Sequence, residues 1–264
     1  MRPLKLRTVI AIFFVIFFLG PIFWVLWGSL RYGDANFSFQ NFSRLFIYGE
    51  GLPRYILNTL FVVVITVSGS LFVSLFAGYA FNRIKFRGSK ALFIGILSIL
   101  MVPHASLLIP LFIWLNKLNL GNSLIGLSFV MIMYQLPFSV FMMRNAFEAV
   151  PKELDEAAMI DGCGRIKIIY RVLLPSVRPG LITVGLFAFL AAWNEFITAL
   201  ILLNDGSKYT VPLMLVNLVK GDFGAIDFGA LQAGIVMSAA PCVILFFVLQ
   251  RYFVGGFTAG AVKG

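Results

Sequence analysis

Six long apolar stretches, at 9–30, 55–81, 91–114, 124–143, 181–203 and 228–250, leave this chain almost no way to fold in water. A helix needs about 20 mostly apolar residues to cross the hydrocarbon core of a bilayer, and each stretch is long enough. Across all six there is one Asp, Glu, Lys or Arg, namely Glu195 in the fifth. Composition agrees: 60% of the 264 residues are apolar and 12% charged. Soluble domains run at roughly 45–50% and about 25%. The expected fold is therefore all-α, a single polytopic domain over residues 1–264 with six transmembrane helices. The first stretch follows Arg2, Lys5 and Arg7 as a secretory signal would. It is longer than a signal core and lacks a small-residue cleavage pattern, so it reads as a retained first helix.

A net charge of +10 on a soluble protein would suggest nucleic acid, but no soluble basic domain exists here to bind it. The charge is distributed as a membrane topology requires. The N-terminal tail, the segments 82–90 and 144–180 and the C-terminal end hold 15 of the 21 Lys and Arg, and the alternate segments hold 6. The richer side is expected to be cytoplasmic, with both termini on it. Cys163 and Cys242 stand far apart, in a loop and in an apolar stretch, and suggest neither a disulfide framework nor a metal site. No G-x-x-x-x-G-K-[ST] run is present to hold nucleotide phosphates.

The longest polar segment, 151–180, carries most of the information. Pro151 suits the start of a helix. Glu153, Asp155 and Glu156 follow it and place negative charge at the positive end of the helix dipole. Gly162 is positioned to end that helix in a left-handed cap. A second short helix is expected from about Arg165 to Leu173, with Ile166, Ile169 and Tyr170 on one side and Pro175 as its stop. The segment thus reads as a helix-turn-helix outside the membrane. Its apolar face suits either a bilayer surface or a cytoplasmic partner, and composition leaves both open.

The run Glu156-Ala157-Ala158, then Asp161-Gly162, then Leu174-Pro175 resembles the EAA signature of the permeases of binding-protein-dependent ABC importers. The family pattern has Ala where this chain has Cys163. Trp193–Phe196 (WNEF), the run from Asp227 to Gly234, Gln250-Arg251-Tyr252-Phe253 and the ending GGFTAGAVKG resemble the carbohydrate branch, similar to the second, maltose-type permease. The resemblance implies that the loop is the coupling element, seated on an ATPase through Glu156, Ala157, Ala158, Asp161, Gly162, Leu174 and Pro175. It further implies a bacterial inner membrane and a heterodimer with a related permease. Two ATPase subunits carrying ATP and Mg, an extracytoplasmic solute-binding protein and a sugar or polyol substrate complete the implied assembly. No catalysis, cofactor or metal is expected on this chain. The tail 258–263 is implied to approach the ATPase, and the outer segment 204–227 is a candidate contact for the binding protein.

Glu195 and Asn194 are the first candidates for the substrate route. A charge in a span is costly and usually faces a bundle interior or a water-filled cavity. From the midpoint of 181–203, Glu195 is expected about 4–5 Å to the outer side, at 1.5 Å per residue. Gln135, near the middle of the fourth span, must find a hydrogen-bond partner and is the third candidate. His104, between Pro103 and Pro110, is expected to donate to a carbonyl that a proline frees. A structural interhelical contact is the competing reading for each. The small residues Gly69, Ser70, Ser74, Ala77 and Gly78 suit close helix packing. A proton- or ion-coupled carrier is the alternative function, but one Glu and one His are thin support for it. Glu195→Ala is expected to reduce solute uptake or assembly; unchanged uptake and assembly in cells would remove Glu195 from the route.

Overall fold

The computed structural model describes residues 6–33, 37–220 and 227–261, and side chains beyond Gln250 lie outside that description. Its regular elements are helices. Among the described residues, α1 (Leu6–Ser29), α3 (Leu52–Arg83), α6 (Leu124–Glu148), the continuous run Arg165–Trp193 and α12 (Phe228–Ala261) are long and apolar enough to span a bilayer. In lipid every backbone N–H and C=O must be satisfied within the chain, which an unbroken helix does by itself.

The third expected span departs from that rule. Instead of one helix over 91–114, α4 (Ser89–Ser98) and a short 3-10 turn (Ile99–Met101) meet α5 (His104–Lys117) at a bend of 102°. Pro103 is the cause. It pushes the preceding residue out of the helical region, and Val102 is extended at φ −83°, ψ 121°. Pro110, by contrast, is carried inside α5.

The fifth expected span is also shifted. Pro175 does not stop the second loop helix. α8 (Arg165–Lys167) passes through a π-helical segment (Ile168–Leu173) into α9 (Leu174–Trp193) as one run. In the π segment carbonyls bond five residues ahead, as Ile169 does to the Leu174 N–H. The wider turn accommodates a ring with no N–H. The apolar run then ends at Trp193 and resumes as α10 (Ile197–Leu202).

The two long connections at the opposite end of the bundle from α7 (Glu153–Ile160) are partly helical. α2 (Gln40–Ile47) lies under the end of α1, where Asn41 Nδ2 donates to Ser29 O (3.0 Å) and Arg31 O (2.7 Å). Arg44 pairs with Asp227 at the start of α12. α11 (Val211–Lys220) buries Val211, Leu213, Met214 and Leu218, so the segment 204–227 is not simply an exposed polar loop. α12 continues to Ala261, past the end of the sixth expected span at residue 250. The implied contacts of 258–263 lie outside the described side chains.

The core is built on α3 and α6. Val62, Thr66, Ser70, Ser74 and Gly78 recur every four residues along α3 and are all buried. Small residues matter because lipid tails are as apolar as leucine; helices in a membrane gain by packing backbones closely. α1 is the opposite case: no part of its apolar window is buried, and it leans on α12.

A Cβ at Gly78 would lie 2.6 Å from Met143 Cβ and 2.8 Å from the Met143 carbonyl carbon. Backbone cannot yield as a side chain can. Gly78→Ala is therefore expected to destabilise the helix pair by about 1–3 kcal/mol. Gly20→Ala, where nothing lies within 4 Å, should be neutral. Thermal unfolding of both variants in detergent checks the contrast; equal midpoints would contradict this packing.

Candidate coupling surface and translocation route

α7 starts as the sequence dictates, with Glu153, Asp155 and Glu156 in its first turn. It ends at Gly162, whose φ is +76°. The Gly162 N–H donates to Met159 O (3.0 Å) and the Cys163 N–H to Ala158 O (2.9 Å). These two bonds form the Schellman arrangement, which closes the last carbonyls of a helix and requires a left-handed residue.

The two faces of α7 differ sharply. Asp155 and Ala158 are buried, while Glu156, Ala157 and Asp161 are exposed. Ile160 is 87% exposed and Met159 52%. Ala158, named with the others as an ATPase contact, instead packs inward against a cluster that includes Met143, Phe147, Ile168 and Leu173. Leu174 joins that cluster at its edge, and Pro175 is exposed. The second loop helix also turns a different face from the one expected. Ile168, Ile169 and Leu173 are buried, whereas Ile166 and Tyr170 point out, because the π segment changes the residues per turn.

The anchor of α7 is an ion pair. Arg83, the last residue of α3, places Nε 2.6 Å from Asp155 Oδ2, with both side chains under a tenth exposed. The same guanidinium donates through Nη2 to Val150 O (2.7 Å) and through Nη1 to Asn82 Oδ1 (2.9 Å). It therefore ties the end of α3 to the turn after α6 and to α7. A cleft of 470 Å³ opens beside it, lined by Asn82, Arg144, Glu148 and 150–153. Neither Arg83 nor Asp155 stands out in the sequence as more than a loop cation and a helix-start anion.

The route candidates are separated from one another. The break after Trp193 puts Asn194 and Glu195 at a helix end, not inside a span. Asn194 Nδ2 donates to Leu190 O (2.8 Å), and Glu195 Oε1 accepts from the Thr198 N–H (2.6 Å). Glu195 thus closes the start of α10, where a carboxylate meets the positive end of the helix dipole. The α6 side chain buried in one cluster with Trp193, Ala199 and Leu202 is Tyr134 rather than Gln135. Tyr134 stacks on His104, ring centroids 4.2 Å apart and nearly parallel. No hydrogen bond from His104 to a freed carbonyl is seen among the described residues. Gln135 is half-buried, also without a side-chain hydrogen bond there. An apolar groove of 520 Å³ runs between α3, α9 and α12 past Val67, Gly185 and Phe189, with Arg178 at its rim. Gln135, Asn194 and Glu195 line neither this groove nor the cleft at α7.

Residues 70–258 match the family described as the inner membrane component of binding-protein-dependent transport systems. The diacetylchitobiose uptake system permease protein DasC of Streptomyces coelicolor is 34% identical over 95% of this chain and 95% of its own length. The trehalose/maltose transport system permease protein MalG of Thermococcus litoralis is 38% identical over 80% of this chain and 76% of its own length. Among solved structures, a chain of a bacterial ABC transporter involved in the import of the acidic polysaccharide alginate superposes with a TM-score of 0.79. Its identity is 25%, and the match covers 94% of this chain and 95% of that one.

A Cβ added at Gly162 would meet nothing within 4 Å, so only the backbone conformation resists substitution there. Gly162→Ala is expected to cost about 1 kcal/mol and Gly162→Asn less, since Asn tolerates the left-handed region. Ranked unfolding midpoints of the purified variants check this; Ala tolerated better than Asn would contradict the cap.

Proposed function

The chain belongs to the inner membrane components of binding-protein-dependent transport systems, and on that premise we propose that it is the permease subunit of an ATP-driven carbohydrate importer. It spans the membrane beside a related permease. Two ATPase subunits bind ATP and Mg on the cytoplasmic side, an extracytoplasmic protein delivers a sugar or polyol, and both termini face the ATPases. The carbohydrate assignment is supported by relatives that carry diacetylchitobiose and trehalose or maltose in their names.

The observation that carries the coupling role is the two-faced α7. One side is locked to the bundle through Asp155 and Ala158, and the other presents Glu156, Ala157, Ile160 and Asp161 with nothing upon them. An isoleucine 87% exposed on a helix fixed from behind suits a groove on a partner. Gly162 sets the exit angle, and Leu174 and Pro175 join the loop to the long run that crosses the membrane. ATP-driven closure of the ATPases moves α7, and the helices packed on it rock between outward and inward access. On the route side, Glu195 fixes the break after Trp193, while Asn194 and Gln135 are the amides available to sugar hydroxyls. A proton-driven carrier is less well supported, because the Glu195 carboxylate is engaged as a helix cap.

Uptake of a labelled sugar and polyol panel should fall for one compound when the gene is deleted. That uptake should stop on ATP depletion and survive collapse of the proton gradient. Uptake that follows the gradient would overturn the proposal. Gly162→Pro cannot adopt the observed φ and loses the bond to Met159, so hydrolysis and uptake should separate in that variant.

A further inference from the structure

α3 is fastened at both ends, and the two fastenings are of different kinds. At the α7 end Arg83 grips Asp155 at 2.6 Å and Val150 O at 2.7 Å. At the other end the segment 207–211 is hung on α3 side chains, while the Asn204 N–H before it donates to Asn122 Oδ1. Asn58 Nδ2 donates to Ser207 O and to Tyr209 O, both at 2.9 Å. Arg54 Nε donates to Ser207 O (3.2 Å), and the Val211 N–H donates to the Thr59 hydroxyl (2.9 Å). Asn58 is buried at 5% exposure, so its amide is committed to these carbonyls.

The suspended loop is itself stiff. The Asp205 carboxylate accepts from the Ser207 hydroxyl (2.8 Å) and amide (3.0 Å). Those bonds hold its pKa below the ordinary range, so the turn keeps its charge and shape across neutral pH. Between Asn58 and Arg83 the helix contains no proline and runs about 37 Å at 1.5 Å per residue. Most of that length is packed against α6 and α9. A rod of this kind, gripped at each end, moves both grips together.

We propose that α3 is a relay between the face that meets the ATPase and the face that meets the solute-binding protein, with Arg83 and Asn58 as its two positioning residues. The proposal rests on reading α7 as the ATPase-contacting element and the outer segment 204–227 as the contact for the binding protein. Neither residue touches solute or nucleotide in this scheme. Arg83 sets the orientation of α7, and Asn58 sets that of the loop around Ser207. A loaded binding protein pressing on that loop shifts α3 along with α6, and α7 follows through the ion pair.

The test uses the whole importer, both permeases with their ATPases, in lipid vesicles. ATP hydrolysis is measured with and without solute-loaded binding protein. Asn58→Ala should retain the ATPase subunits on purification and hydrolyse ATP at the basal rate; Asp155→Asn, in α7 itself, is expected to lower that rate, and its stimulation is read as a ratio to its own basal rate. Stimulation by the loaded binding protein should fall about tenfold in each, the size of an ordinary allosteric coupling. The double variant should be no worse than the singles, because both changes cut one relay. Asn58 lies far from α7, so its variant tests the relay even if Asp155→Asn fails to assemble. Normal stimulation in Asn58→Ala, or losses that multiply in the double variant, would overturn the relay and leave the importer assignment standing. A wild-type assembly that shows no stimulation at all would sink that assignment, and the relay with it.

Discussion

At Gly78 the α3 and α6 backbones approach until a single added carbon would sit 2.6 Å from Met143 Cβ. That approach is possible only because Thr66, Ser70, Ser74 and Gly78 lie on one edge of α3 at four-residue spacing. In water such a small, weakly apolar stripe would contribute little. In lipid, bulky side chains gain nothing by leaving hydrocarbon for protein, whereas close backbone contact does gain dispersion energy. The other long helices take their places from this pair. α9 packs against both members, and α12 and α11 close on the far end through Leu45, Tyr55, Met214 and Ala233. α1 is left on the outside, held by Asn41 and by α12.

The departures from straight helix fall at three places, and each has a local cause. Val102-Pro103 bends the third span, the π segment from Ile168 to Leu173 carries a helix through Pro175, and the chain opens after Trp193. Non-helical backbone at membrane depth must be buried in protein or line a cavity. Around Trp193 the first of these is visible. The indole is buried and donates to Ser238 O (2.9 Å), and Glu195 accepts from the Thr198 N–H in the first turn of α10. The His104–Tyr134 stack brings the first break up against the third, so two interruptions share one neighbourhood.

What could be read from the residues was what local rules decide. Apolar length located the spans, and Gly162 was legible because only a left-handed cap suits a glycine after Glu-rich first and Ala-rich middle turns. The small face of the second span was legible from its side chains. Prolines were not. Pro103 breaks its helix while Pro110 and Pro175 do not, and the outcome depends on whether neighbouring turns can widen or bend, which spacing does not record. Asn194 and Glu195 are unusual in an apolar stretch, but their setting depends on the helix stopping at Trp193. Arg83 and Asp155 are 72 positions apart, and each had a sufficient local reason to exist, as a loop cation and as a helix-start anion. Only the fold makes them partners.

The nature of that partnership bears on its purpose. Taking an arginine and an aspartate out of water costs several kcal/mol per ion, and an apolar contact of similar volume is often as stable. Here the compensation is incomplete, since neither Arg83 Nε nor Asp155 Oδ1 has a hydrogen-bond partner among the described residues. Stability alone is thus a weak reason for an ion pair at this junction. Geometry is a stronger one. Apolar side chains allow α7 to slide or rotate with little penalty, because dispersion is non-directional. A guanidinium hydrogen-bonded to Val150 O and Asn82 Oδ1 is itself held in place, and it draws the Asp155 carboxylate of α7 to one point. A helix that must deliver a displacement, and not merely remain attached, needs a joint of the second kind.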